Sequence, residues 1–512
     1  MSWTDGYVSE IGYTYGYYRE LNPVLMRLAC LNAGVAPPPA RPLNYLELGY
    51  GQGVSINVHA AAVAGEFWGN DFIPAQAAHA QSLAQASKSG AVLTDDSFAD
   101  FAARTDLPEF DVIALHGTWS WISAENRRWV VDIMRRRLRP GGIVYMSYNC
   151  LPGWTVAMPL RHLMALHVEV AGSADTGIIG KIDNAIAFTQ KVVDSGAFHF
   201  RVNSAAVERL KAISGQGRHY LAHEYFNRDW DVMPFSEVAR QLDGAKLSFV
   251  ASAQLTDHVD AINLTGQWQQ LLAGITNPIL RESTRDYLIN HQFRRDIFIK
   301  GARALSPLER IEGLRAQPFV LMTRPEDVAM KVAGSMGEVA VSEQLYRPLL
   351  EVMGQGSYAP KTLGEIADHK KMAGVPFDQI VAALLILYGV GHAHPTQAVT
   401  KQIRERCAAL NTYICQRARS GSEISTLASP LTGGGIVVDR FAQLFLLGLQ
   451  QGRKTPAEQA EFVWQILSAQ GHRLVKSGAP IPDAAGNIAE LTQYATQFAE
   501  ARLPILKTLG VA

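Results

Sequence analysis

The sequence predicts an α/β fold: an open, mostly parallel sheet with helices on both faces, followed by mainly helical segments. Three observations predict it. Short apolar runs alternate with stretches of helical periodicity from residue 43 to 149. The first apolar run leads straight into a Gly-x-Gly-x-Gly turn, Gly49-Tyr50-Gly51-Gln52-Gly53. Hydrophobic residues make up 48% of the chain and charged residues 18%, which supplies a large core and excludes general disorder.

The elements follow in order. Residues 43–48 read as a short strand and 54–64 as the helix after the glycine turn. Residues 66–70 are a second strand ending at Asp71. Pro74 suits a first helical turn, and the Ala-rich stretch 75–86 continues it. Residues 91–94 are a third strand, and 110–115 a fourth with β-branched residues. Residues 124–138 read as a helix stopped by Pro140-Gly141-Gly142, and 143–148 as the fifth strand. Repeated β-α units bring each strand back parallel to the last. Helices are expected at 156–170, 178–193 and 204–213, and Pro234 opens another through Leu242. Residues 246–255 and 296–300 read as late strands.

The 512 residues imply several domains. Lys plus Arg and Asp plus Glu are 47 each, and a net charge of zero argues against nucleic acid or an anionic membrane as partner. Cys30, Cys150, Cys407 and Cys415 form no CxxC pair, so neither a disulfide framework nor a metal site is expected. No signal peptide or membrane span is read, and a soluble cytoplasmic protein is expected.

The chemistry lies at the carboxyl ends of the strands, where open α/β sheets bind ligands. Gly49, Gly51 and Gly53 let the backbone turn tightly and approach a ligand. No Lys follows, which excludes a Walker loop, and the third glycine comes one residue early for a dinucleotide loop. Glu47 stands before the first glycine, where a carboxylate suits a cationic amino group. Asp71, followed by Phe72, ends the second strand, where an acid accepts ribose hydroxyls. Asp96, Ser97 and Phe98 end the third, where an acid or hydroxyl takes an adenine amino group. Amino acid, ribose and adenine in that order describe S-adenosylmethionine.

With those residues, the segment from Glu47 to Gly53, Asp71, the stretch from Asp95 to Phe98 and the string from Leu138 to Gly142 resemble the class I S-adenosylmethionine-dependent methyltransferases. The strings His116-Gly-Thr-Trp-Ser-Trp-Ile122 and Ser147-Tyr-Asn-Cys-Leu-Pro-Gly-Trp154 are similar to the subfamily with a methyltransferase regulatory domain, which includes rickettsial protein-lysine methyltransferases. Tyr50 departs from the Cys or Ala common at its position. The resemblance implies a Rossmann-like, seven-stranded sheet, S-adenosylmethionine as cofactor, lysine in a protein as the favoured acceptor, and a homodimer. A small-molecule or glycan acceptor, or a cofactor-binding regulatory module, are the alternatives.

Methyl transfer is an in-line displacement, so the protein mainly positions donor and nucleophile. A lysine acceptor must first lose a proton, at a cost of roughly 4–5 kcal/mol at pH 7. Tyr148, Asn149 and His116 are the expected catalytic residues, His116 also touching the cofactor. Trp119, Trp121 and Trp154 are expected to bind substrate, because aromatic faces suit cations. Asn149 lacks the Asn-Pro-Pro-Tyr arrangement of nucleic-acid amino methylation. Of the tyrosines at 7, 13, 15, 17 and 18, Tyr13 is expected to reach the cofactor.

The expected organisation is a Tyr-rich arm at 1–40, a donor-binding core at 41–154, a helical insertion at 155–230 serving as lid or dimer surface, and the sheet's end with the regulatory region at 231–305. A winged-helix-like part follows at 306–400 and a mostly helical one at 401–512. The helix expected at 377–388 carries no Lys or Arg, which argues against DNA binding. Gly433-Gly434-Gly435 is no phosphate loop, because no Lys follows.

Overall fold

The computed structural model describes residues 7, 12–39, 41–172 and 176–512. Most of residues 1–11 of the expected arm therefore lie outside the described residues. After helix α1 (Pro23–Asn32), the sheet forms from β1 (Leu43–Leu48), β2 (Gly65–Asn70), β3 (Val92–Thr94), β4 (Phe110–Leu115) and β5 (Leu138–Asn149). Helices α2 (Val54–Ala62), α3 (Pro74–Ser87), α4 (Phe98–Ala103) and α5 (Ala124–Arg137) lie between them. Helices α6 (Met158–Ala171), α7 (Ile178–Asp194), α8 (Phe198–Val202), α9 (Ser204–Ser214) and α10 (Arg218–Tyr225) make the insertion. The sheet is completed by α11 (Phe235–Asp243), β6 (Leu247–Ser252), α12 (Asp260–Asn263), α13 (Gly266–Ala273), α14 (Pro278–Ile289) and β7 (Phe293–Lys300).

The strand order is β3-β2-β1-β4-β5-β7-β6. The first five strands are parallel, and β7 runs antiparallel between β5 and β6. This is the Rossmann-like, seven-stranded, mostly parallel sheet. Its order reverses beside β1, so the turns after β1 and β4 open a crevice at the strands' carboxyl ends.

One boundary differs from expectation. Pro140-Gly141-Gly142 does not separate helix from strand; it lies inside β5, which starts directly after α5. The ladder pairs Phe110 with Leu138 and then Val112 with Ile143, a bulge that absorbs the extra residues, with Gly141 at φ 78°. The strand expected at 246–255 ends at Ser252, because residues 255–258 coil into a 3-10 turn.

The insertion has its own core of Trp154, Leu160, Met164, Ile182, Phe200, Leu210 and Tyr225. The C-terminal half is not separately cored. Leu25 and Ala29 of α1 belong to one apolar cluster with Ile380 and Leu384 of the helix Phe377–Gly389. Val54 and Val58 of α2 share another with Cys407 and Leu410 of the helix Lys401–Arg417. Residues 318–395 hold a three-stranded antiparallel sheet, Lys361–Thr362, Pro318–Leu321 and Ala393–Pro395, packed with helices. Residues 401–512 are mostly helical, with a hairpin of Thr426–Ser429 and Gly434–Val437. No helix among the described residues is long and apolar enough to cross a membrane.

Candidate active site

The turn after β1 takes its shape from its glycines. Gly49, Gly51 and Gly53 have φ of 71°, 58° and 71°, a region that disfavours side chains. A Cβ on Gly53 would lie 2.3 Å from Ala80 Cβ, so the glycine also lets α2 pack on α3. A Cβ on Gly51 would meet the Tyr13 ring at 3.3 Å. The turn thus forms a floor and Tyr13 part of a roof.

Between them is a cavity of about 190 Å³ lined by Glu47, Asn70, Asp71, Phe72, Ser97 and Phe98 on one side. His116, Thr118, Trp121, Asn126 and Asp229 line the other, with Tyr7, Tyr13 and Tyr18 above. Among the described residues, three carboxylates line this cavity and no Lys or Arg does. Arg228, next to the mouth, pairs with Asp229 at 2.8 Å.

Asp71 ties β2 to the glycine turn. Its Oδ2 accepts the Gly51 N–H at 2.8 Å and its Oδ1 accepts the Ile73 N–H at 3.1 Å. Burial raises its pKa to about 7 against the effect of those two donors. Burial also raises Glu47, to about 8, although the Tyr45 hydroxyl donates weakly to it at 3.5 Å. Asn70 donates to the Asp96 carbonyl at 3.0 Å, while its own Oδ1 is buried with no hydrogen-bond partner.

His116 Nδ1 lies 2.7 Å from the Tyr145 hydroxyl, and the imidazole stacks under Tyr18 with centroids 3.9 Å apart. Burial, with a smaller contribution from Arg295, lowers its pKa to about 3. Imidazole is therefore neutral here and a poor proton acceptor at pH 7.

The cavity collects Glu47, Gly49, Gly51, Asp71, Phe72, Ser97, Phe98, His116, Tyr13 and Trp121 of the residues expected from the sequence. Gly53 is not on its wall and acts through packing. Asp96, Trp119, Trp154, Tyr148 and Asn149, expected at the site, are not among the residues that line the cavity. The Asp96 carboxylate does not face the cavity; it accepts from Thr94 at 2.9 Å and from Arg104 at 3.1 Å. Trp119 is wholly buried with Phe101, Val130 and Met146, because the 3-10 turn Trp119–Trp121 sends its two indoles to opposite sides. Trp154 belongs to the insertion core, edge-on to Trp230 at 5.3 Å. Tyr148 is wholly buried and donates its hydroxyl hydrogen to Asp296 Oδ2 at 2.6 Å. Asn149 is buried and bonded through its side chain to Glu224 of α10, whose pKa burial raises to about 7.

Sequence reasoning did not select Tyr7, Tyr18, Asn70, Glu224 or Asp229. Tyr7 and Tyr18 stood in the visible tyrosine run. Asn70 directly precedes Asp71. Glu224 and Asp229 arrive from the far end of the insertion; the string His223-Glu224-Tyr225-Phe226 resembles the start of the regulatory domain but marks no chemistry, and nothing local marks Asp229.

Two family models match: "Methyltransferase domain" over residues 46–142 and "Predicted methyltransferase regulatory domain" over 217–300. An uncharacterised Synechocystis protein is 39% identical over the full length of both chains. An uncharacterised Rickettsia prowazekii protein is 25% identical over 56% of this chain and 51% of its own. Among solved structures, PKMT2 from Rickettsia typhi in complex with AdoHcy superposes with a TM-score of 0.72 at 17% identity, covering 97% of this chain and 100% of that one.

Proposed function

Because the chain belongs to the class I S-adenosylmethionine-dependent methyltransferases, we propose that it methylates the side-chain amine of lysine in a protein substrate. One observation carries this reading: among the described residues, three carboxylates and several aromatic rings line the cavity, and no Lys or Arg does. Such walls favour cationic partners and oppose phosphate-bearing ones. A cationic donor meeting a cationic acceptor is the case they suit. The likeness in fold to a structure named as PKMT2 agrees with it.

The residues present fit S-adenosylmethionine. The glycine turn leaves a cradle that a Cβ would narrow, Asn70 Oδ1 is orphaned, and Glu47 and Asp71 are two buried carboxyls whose pKa values burial raises. When bound, the cofactor supplies an electrophilic methyl group on a sulfonium. In our reading Glu47 holds the amino group, Asp71 the ribose hydroxyls, and Phe72, Ser97 and Phe98 surround the adenine. Trp121, Asn126 and Asp229, on the opposite wall, guide the acceptor amine. His116 shapes the wall and takes no proton, given its lowered pKa. Asn149, through Glu224, fixes α10 above the site rather than touching the acceptor.

Labelled donor incubated with cell lysate, followed by mass spectrometry, tests the reading. Label on lysine of a protein supports it. Label confined to small molecules or glycans refutes it while leaving the family assignment intact.

We also propose a homodimer through the insertion. Val170, Phe198 and Val202 there are 75%, 73% and 60% exposed, an unusual density of open apolar side chains.

A further inference from the structure

The N-terminal arm that roofs the donor cavity also meets the C-terminal half. Gly433-Gly434-Gly435, which resembles no phosphate loop, accounts for itself here. A Cβ on Gly434 would lie 2.5 Å from both Tyr17 Oη and Asn22 Nδ2, and one on Gly435 would lie 3.0 Å from the Tyr17 ring. The absent side chains admit the arm. Asn22 Nδ2 donates to the Thr432 carbonyl at 3.0 Å, while its Oδ1 accepts the Val24 N–H at 2.9 Å and caps α1. Arg19 donates to the carbonyls of Tyr388 and Gly389 at 3.2 and 3.0 Å, with its guanidinium 4.9 Å over the Tyr388 ring.

Tyr18 lies between two of these anchors and takes the opposite direction. Its ring stacks on His116, and its N–H donates to Ser55 Oγ at 2.9 Å on α2, the helix that starts at the glycine turn. Tyr17 meets His59 of the same helix, Oη to Nε2 3.2 Å. Adjacent residues therefore divide the labour: 17, 19 and 22 grip the C-terminal half, and 18 covers the cavity.

We propose that the Gly433–Gly435 turn and the carbonyls of residues 388–389 form a clamp that holds the arm over the donor cavity. Tyr17, Arg19 and Asn22 are then positioning residues for donor binding, and the C-terminal half is part of the donor site at one remove. The inference rests on the donor cavity, not on the identity of the acceptor.

The test uses the full chain and two substitutions, Gly434→Ala and Arg19→Ala, with Arg19→Lys as the conservative control. S-adenosylhomocysteine is titrated calorimetrically, and amide hydrogen exchange is followed at residues 12–22 and in β1 and β4. Both variants should bind at least about tenfold more weakly, exchange faster in the arm and keep parental exchange in the strands. Donor KM should rise with kcat at saturating donor retained, and Arg19→Lys should recover part of the affinity. Arg19→Ala binding within twofold of the parent, with unchanged arm exchange, overturns the clamp. If Gly434→Ala disturbs β1 and β4 as well, Arg19→Ala alone decides. Exchange of the arm is readable without ligand, so failure of the parent to bind S-adenosylhomocysteine would count against the donor assignment and not against the clamp.

Discussion

Asp71 accepts the Gly51 N–H at 2.8 Å, so the end of β2 holds the turn that follows β1. The same carboxylate lines the cavity. Asp71→Ala should therefore weaken S-adenosylhomocysteine binding twice over, by loosening the turn and by removing an acceptor for ribose. At about 1 kcal/mol or more per hydrogen bond, the loss should exceed tenfold. Calorimetry checks it, and an unchanged affinity would take Asp71 out of the donor site.

Donor binding should strengthen with pH. Asp71 titrates near 7 and Glu47 near 8 in the free protein, both raised mainly by burial. The ionised forms suit a cationic ligand, so affinity should climb between about pH 6 and 8.5, with protons released on binding in that same range. Stability of the free protein should move the other way. With folded pKa values above the unfolded ones, the folded state holds more protons between about pH 4 and 8, and its stability contribution from these two groups is lost as pH rises through 7 to 8. Melting temperatures with and without donor across pH 5.5–8.5 would read both trends. Donor affinity that is flat over that range would contradict them.

Tyr148→Phe should cost stability and leave the donor site alone. The hydroxyl is consumed by Asp296, whose Oδ2 also accepts from Arg294 Nε at 2.8 Å in a buried network. Removing one donor from a buried carboxylate costs about 1–3 kcal/mol. Denaturant titration should find that loss, with S-adenosylhomocysteine affinity within twofold of the parent. A drop in turnover at full stability would return Tyr148 to the chemistry.

Much of this was legible in the sequence. Strand and helix periodicity gave the sheet its elements, and the spacing of Glu47, the glycines and Asp71 placed them at one crevice. Side-chain direction was less legible wherever a distant partner decides it. Tyr148 is turned by Asp296 and Arg294 of β7, far along the chain. Asp96 is drawn off by Arg104, at the far end of α4. Trp119 and Trp121 share a single 3-10 turn, too short for periodicity to say which faces inward. Tyr17, Arg19 and Asn22 meet residues 388–435, contacts that no local pattern announces.

The insertion should carry the dimer contact. Phe198 and Val202 stand open on α8, and Val170 on α6. Burying three such side chains is worth several kcal/mol at about 1.5–3 kcal/mol each. Light scattering should give a particle of twice the 56.0 kDa chain mass, and Phe198→Asp should shift it toward monomer without altering donor affinity. A parent protein that scatters as a monomer at micromolar concentration would end the proposal.

The acceptor wall offers the sharpest test of the lysine reading. Trp121 and Asp229 line the cavity opposite the glycine turn, and neither is needed by the donor in our assignment. Trp121 presents an aromatic face to an incoming amine, and Asp229 presents negative charge at the mouth, moderated by Arg228. Lysine arrives as an ammonium, so these groups act on its approach and binding; it gives its proton to solvent before the neutral amine attacks the methyl group. Trp121→Ala and Asp229→Asn should then lower kcat/KM for the protein labelled by the parent enzyme by about tenfold each, roughly 1.4 kcal/mol. S-adenosylhomocysteine affinity should stay near parental in both. The expected pattern is a raised acceptor KM with donor binding intact. Equal losses of donor and acceptor binding would place these side chains against the donor instead. Parental kcat/KM in both variants would show that the amine enters by another face, and the lysine reading would lose the wall on which it rests.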